Sequence, residues 1–183
     1  MRKRALKFGI FGIVFLLISF LGYNVASITK EQNAFKERIR DMPEFSYQTM
    51  DNTVFSKNNL APHLPTVFIY FNSECHFCQY EAQDISDNKN ELKNIQLIFV
   101  STEPIEKIRA FSETYSLNNE KNITFLHDST HHFSYQFNVT STPFTLMYDV
   151  DQNLIKMHKG QLNAKGIIKT LNSIIDKKGS TID

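Results

Sequence analysis

Cys75 and Cys78 are the two cysteines of this chain, and both lie in the stretch SECHFCQYEAQDI at residues 73–85. A pair with this spacing can be a disulfide staple, part of a metal clip, or a reversible redox couple. A bridge between them would close a very short loop, which removes little entropy from the unfolded chain and adds little stability. His127, His131 and His132 are the candidate partners for a metal. They lie far outside the ligand spacing of compact zinc motifs. Redox chemistry is the reading that makes use of a two-residue gap.

That chemistry needs a thiolate. A free thiol with a pKa of about 8.5 is only a few per cent ionised at neutral pH, and lowering it to about 7 makes half of it nucleophilic. The sequence offers a way to do this. TVFIYFN at 66–72 is a continuous apolar run, as expected of a strand buried on both faces, and a helical pattern follows Cys75 at once. Cys75 is thus expected at a helix N-terminus, where unpaired backbone N–H groups stabilise negative charge. Cys78, one turn further in, suits the resolving role: it attacks the mixed disulfide formed on Cys75.

The elements that must position this pair alternate between strand and helix. FSYQTMDNTVFS at 45–56 reads as a hairpin turning at Asp51-Asn52, and IQLIFVS at 95–101 as a second buried strand. Pro104 opens a helix with Ile105, Ile108, Phe111 and Tyr115 on its inner face. ITFLHD at 123–128 is a third strand, followed by a short helix in HHFSYQFN. Two more strands flank a turn at Asp149–Asn153. A last helix, capped by Asn163, turns Ile167, Ile168, Leu171, Ile174 and Ile175 inward. This alternation argues for an α/β sandwich.

The N-terminus decides the compartment. Arg2, Lys3, Arg4 and Lys7 precede an uncharged run from Phe8 to Thr29, most apolar from Phe8 to Leu21. The run reaches the roughly 20 residues of a membrane helix. The cationic tip is expected to stay in the cytoplasm, sending the remainder across. An uncleaved anchor is the reading adopted. A signal peptide cut after the small residues near Val25 and Ser27 is the competing one, and both export the domain. Ile28, Phe35, Ile39 and Met42 form one weak apolar stripe, ended by Pro43, in a solvated stalk. The expected organisation is a cationic tip and anchor at 1–29, a stalk at 30–43, a globular domain at 44–177 and a tail at 178–183. The 20 basic and 19 acidic residues give a net charge of +1, which offers no electrostatic case for nucleic acid.

Beyond these local readings, residues 44–177 resemble the thioredoxin-like proteins, and among them the membrane-anchored, extracytoplasmic thiol-disulfide oxidoreductases of the TlpA/ResA type. The resemblance rests on TVFIYFNSECHFC, on Glu81 three residues after Cys78, on YQFNVTSTPFTLMYDVDQNLI around Pro143, and on Gly160. It implies a thioredoxin-like three-layer sandwich with an N-terminal hairpin and a central insertion at 123–137. The fold would be preceded by one transmembrane helix. It further implies a cis-proline at Pro143 facing the cysteines, a Thr142 backbone that pairs with substrate, and Glu81 as a proton shuttle for Cys78. His76 and Phe77 would complete the substrate surface. The expected partners are cysteine-containing extracytoplasmic proteins and a membrane or periplasmic thiol redox partner. The domain would lie on the outer side of a bacterial cytoplasmic membrane, with no cofactor.

Three departures from the pattern stand out. Glu74 replaces the usual aromatic residue before the first cysteine, Ile69 replaces the buried acid of thioredoxin, and His76-Phe77 between the cysteines lacks a proline. Protonated His76 would favour a Cys75 thiolate and Glu74 would oppose it. Residues 72–75, Asn-Ser-Glu-Cys, lack the threonine that peroxiredoxins place three residues before their cysteine, which argues against a peroxidase. The alternative from another class is a binding module or a copper or zinc carrier using the same cysteines.

Overall fold

The computed structural model describes the backbone of residues 2–179 and the side chains of residues 16–173. It divides into two compact units, Met1–Arg40 and Asp41–Asp183. The first holds helix α1 (Arg2–Arg38). Among the described residues no helix is long and apolar enough to cross a membrane. The expected anchor starts at Phe8, and its side chains up to Phe15 lie outside the described residues. From Leu16 onward the run carries exposed Leu16, Leu17, Ile18, Phe20 and Leu21.

The apolar stripe expected to run on to Met42 does not continue as one helix. Helix α1 stops at Arg38, five residues before Pro43. Asp41 bridges to Asn153, and the Met42 N–H donates to the Gln152 carbonyl at 2.8 Å. These backbone groups are therefore committed to the second unit and unavailable to a helix. Ile28 is exposed, whereas Met42 is buried.

The second unit is built on one seven-stranded mixed sheet in the order β2-β1-β5-β4-β3-β6-β7. Its strands are β1 (Ser46–Thr49), β2 (Val54–Ser56), β3 (Thr66–Tyr70), β4 (Gln96–Ser101), β5 (Ile123–His127), β6 (Phe144–Tyr148) and β7 (Leu154–Lys159). The β1–β2 hairpin turns with Asn52 in the left-handed region (φ 59°), which Asn tolerates better than most side chains. Parallel strands β3, β4 and β5 lie next to one another, and β6 joins β3 antiparallel. Every residue of β3, β4 and β6 is buried, which is why apolar side chains dominate both faces of these strands instead of alternating with polar ones.

The two faces of β3 have different neighbours. Val67 and Ile69 join Leu97, Phe99, Phe125 and Met147 in one core. That core also receives Cys78, Ala82 and Ile85 from α2 (His76–Asp87), Ile108 and Phe111 from α3 (Ile105–Thr114), and Ile167 and Leu171 from α5 (Ala164–Gly179). On the opposite face Phe68 is surrounded by rings. Phe45, Phe133, Phe137 and Tyr148 all lie with centroids within 6.4 Å of it. This second layer is thin, a five-residue helix α4 (His132–Gln136) and the segment around Phe45, so aromatic bulk covers what backbone does not.

Two carboxylates fix helix starts. Asp128, almost fully buried, accepts the N–H groups of His132 and Phe133 and so begins α4. Asp84 on α2 accepts the Ala164 N–H at 2.6 Å, tying α5 to α2, while the Asn163 side chain caps Gly166 at 2.8 Å. Phe68→Ala empties the centre of the aromatic layer, and is expected to cost about 3–5 kcal/mol in urea unfolding. A loss below about 1 kcal/mol would show that this layer contributes little.

Candidate active site

The site forms where β3 hands over to α2. The Phe71 N–H still reaches the Val100 carbonyl at 3.0 Å, and then the chain leaves the sheet. Asn72 makes the turn: its side-chain oxygen accepts the Glu74 N–H at 2.9 Å and its carbonyl accepts the Cys75 N–H at 3.1 Å. This is the residue that stands where a peroxiredoxin would carry threonine, and here its polar atoms serve the turn. Cys75 follows as the N-cap of α2, with extended backbone (φ −81°, ψ 114°).

Both cysteines are free thiols, Cys75 half-buried and Cys78 buried. The Cys75 S–H donates to the Thr142 carbonyl at 3.6 Å. Burial pushes the Cys75 thiol up, but Cys78, Thr142 and the Phe77 and Cys78 amides pull it further down, to a value below that of an ordinary thiol. No cap hydrogen bond closes onto the sulfur, so the amides act as oriented dipoles at the helix start. The groups that dominate this balance do not include His76 or Glu74. Glu74 is occupied elsewhere, 2.6 Å from the Lys107 ammonium.

Cys78 has the opposite character. Burial raises its thiol to about 12, only partly offset by the Asn72 backbone. One turn later Glu81 is 1% exposed, and burial lifts its carboxyl to about 8 against the pull of the Leu162 amide and the Thr145 hydroxyl. Thr145 donates to Oε1 at 3.4 Å, and Oε2 has no partner within hydrogen-bond geometry. Cys75, Cys78 and Glu81 thus lie on the first two turns of one helix, running from solvent into the core.

The far wall comes from a distant part of the chain. The Thr142–Pro143 peptide bond is cis, and Pro143 is buried just before β6. The Pro143 carbonyl accepts the Gly160 N–H at 2.9 Å, which leaves the Thr142 carbonyl to the thiol. Gly160 itself sits at φ +91°, a conformation that a side chain would strain. His76 and Phe77 lie at the exposed mouth, with Phe77 61% exposed.

Four polar residues around the turn were not singled out from sequence. Glu103 accepts both the N–H and the hydroxyl of Ser73, Gln79 donates to the Ser73 carbonyl, and Lys107 pairs with Glu74. The i to i+4 spacing of Glu103 and Lys107 was visible. Nothing in the sequence ties either residue to a turn some thirty positions earlier.

Fold and site together define a thioredoxin-like protein with an oxidoreductase dithiol. A family model described as the AhpC/TSA family matches residues 40–181, and the chain belongs to that family. It is similar to a secreted Mycobacterium tuberculosis disulfide oxidoreductase homologous to E. coli DsbE, with 19% identity and a TM-score of 0.60 over 75% of this chain and 98% of that one. A thiol:disulfide interchange protein of Chlorobium tepidum matches with 16% identity and a TM-score of 0.62 over 73% and 94%. The pneumococcal exposed lipoprotein thioredoxin Etrx1 of Streptococcus pneumoniae matches with 18% identity and a TM-score of 0.57 over 72% and 99%. At these identities the likeness is one of fold. A search of curated proteins finds no match to this chain.

Glu81 makes stability depend on pH. In the fold it keeps its proton to about pH 8, against an ordinary value of 4.5. The stability carried by the neutral acid is thus complete below pH 4.5 and is lost as pH rises through 8. Glu81→Gln cannot ionise, so the reduced variant is expected to gain on the parent above pH 8, by on the order of a few kcal/mol. Urea unfolding at pH 5, 7 and 9 reads the effect; parallel pH slopes in parent and variant would refute it.

Proposed function

We propose that this protein is a membrane-anchored thiol-disulfide oxidoreductase that exchanges disulfides with extracytoplasmic proteins through Cys75 and Cys78. The observation that carries the reading is the asymmetry of the pair. One thiol is accessible, set against the Thr142 carbonyl and held below its ordinary pKa, while the other is buried and held far above it.

The exchange runs as follows in the reducing direction. The Cys75 thiolate attacks one sulfur of a client disulfide, forming a Cys75–client bond and expelling the other client sulfur as a thiolate, which takes up a proton. Cys78 then loses its proton and attacks Cys75 Sγ. The Cys75–Cys78 bond forms, the second client thiolate leaves, and the client has gained two electrons. Glu81, three residues beyond Cys78 and open at Oε2, is positioned to take part in that proton transfer. Thr142, Pro143, His76 and Phe77 frame the surface on which the client strand would rest. Oxidation of a client is the same sequence reversed, and the redox partner sets the direction.

Among the described residues no three His, Cys, Asp or Glu side chains gather as metal ligands. With Cys78→Ser, clients are expected to accumulate as mixed disulfides on Cys75, separable on non-reducing gels, and Cys75→Ser should trap none. Equal trapping by both variants, or an inert pair in a parent protein that binds zinc or copper stoichiometrically, would overturn the assignment.

The membrane part of the proposal rests on Arg2, Lys3, Arg4 and Lys7 ahead of an uncharged run, and on the exposed apolar side chains from Leu16 to Leu21. Secreted and surface-exposed proteins among the structural neighbours agree with it. A reporter enzyme active only outside the cytoplasm, fused after Asp183, should be active, and the protein should resist a carbonate wash of membranes. A shortened soluble form starting near Ile28 would identify a cleaved signal peptide instead.

A further inference from the structure

We propose that Glu103 is a positioning residue for disulfide exchange: its carboxylate clamps the Ser73 turn and so fixes Cys75 at the start of α2 against Thr142. The proposal rests on the dithiol reading above. Ser73 lies two residues before Cys75 and is held from three sides. Its N–H donates to Glu103 Oε2 at 2.6 Å, its hydroxyl donates to Oε1 at 2.7 Å, and its carbonyl accepts Gln79 Nε2 at 2.8 Å. The Ser101 hydroxyl adds a longer bond to Oε2 at 3.4 Å.

The Glu103 side chain is only 10% exposed. A carboxylate so far from water is tolerated where protein donors replace its hydration. Two of its three hydroxyl and amide donors come from Ser73, so the charge is satisfied only when the turn is in place. The dependence runs both ways. Without the carboxylate the Ser73 N–H loses its acceptor, and a partly buried donor left unpaired favours movement of the turn toward water. Any such movement shifts Cys75 relative to the α2 amides and the Thr142 carbonyl.

Lys107 extends the clamp. Its ammonium lies 3.9 Å from Glu103 and 2.6 Å from Glu74, which keeps the Glu74 carboxylate on the α3 side of the turn. Glu74 directly precedes Cys75, and a carboxylate turned toward the sulfur would oppose the thiolate. Glu103 itself is not among the groups acting on the Cys75 sulfur, so its influence has to travel through geometry.

The test is alkylation of Cys75 by iodoacetamide against pH in the reduced full-length protein, read by tandem mass spectrometry, with the thermal unfolding midpoint measured alongside. Glu103→Ala is expected to raise the alkylation midpoint by about one pH unit, leaving about tenfold less thiolate at neutral pH. Glu103→Gln keeps an acceptor for the Ser73 N–H and an amide for its hydroxyl, so it should restore most of the parent profile. A residue that only supports the fold would lower the unfolding midpoint and leave the alkylation profile in place. That result with folded Glu103→Ala overturns the proposal. Should Glu103→Ala fail to fold, Ser73→Ala removes the hydroxyl leg alone; a smaller upward shift supports the clamp and no shift overturns it. Absence of client trapping by Cys78→Ser would instead count against the exchange reading and leave the alkylation comparison intact.

Discussion

The site depends on one register, the antiparallel pairing of β3 with β6. Tyr70 pairs with Phe144, which places the residues just beyond β3 beside those just before β6. Cys75 and Thr142 are separated by 67 positions in the chain, yet their sulfur and carbonyl meet at 3.6 Å. Slipping that ladder by one residue would turn Thr145 away from Glu81 and exchange the two faces of β6. Burial of both strands on both faces makes such a slip costly. The mouth of the site is therefore as well defined as the core beneath it.

A gradient of solvation is built on that frame. Helix α2 turns one face to the core, and along that face its reactive groups become more buried, from half-buried Cys75 to buried Cys78 and Glu81. Burial penalises every charged form, but only Cys75 sits where the helix-start amides, the Cys78 thiol and the Thr142 side chain more than compensate. Two chemically identical thiols thereby become a nucleophile and a reserve. The acid beneath them is kept neutral by the same lack of water that keeps Cys78 protonated.

The two layers on the sheet contribute differently. Three helices cover the face that carries Cys78, and the start of one, α5, is pinned by the side chains of Asp84 and Asn163. The other face relies on a cluster of rings around Phe68, with α4 held by Asp128. The active-site turn is braced from two sides, by Glu103 of the β4–α3 connection and by Gln79 of its own helix.

The sequence by itself determined the α/β order, because periodicity is a local property. Apolar runs marked β3 and β4, and the apolar positions of α3 and α5 recurred at helical spacing. The cysteine spacing and its place after β3 pointed to redox chemistry for the same local reason. Helix α1 ended earlier than its apolar stripe suggested, because pairing with Gln152 and Asn153, over a hundred residues away, claimed the backbone at Asp41 and Met42. Tertiary structure alone decided which charges matter at Cys75. His76 and Glu74 are its neighbours in sequence, yet Lys107 takes up Glu74, and the groups that lower the Cys75 thiol are the helix-start amides, Cys78 and the Thr142 side chain. Electrostatic influence follows distance in space and exposure to water, and the linear chain records neither.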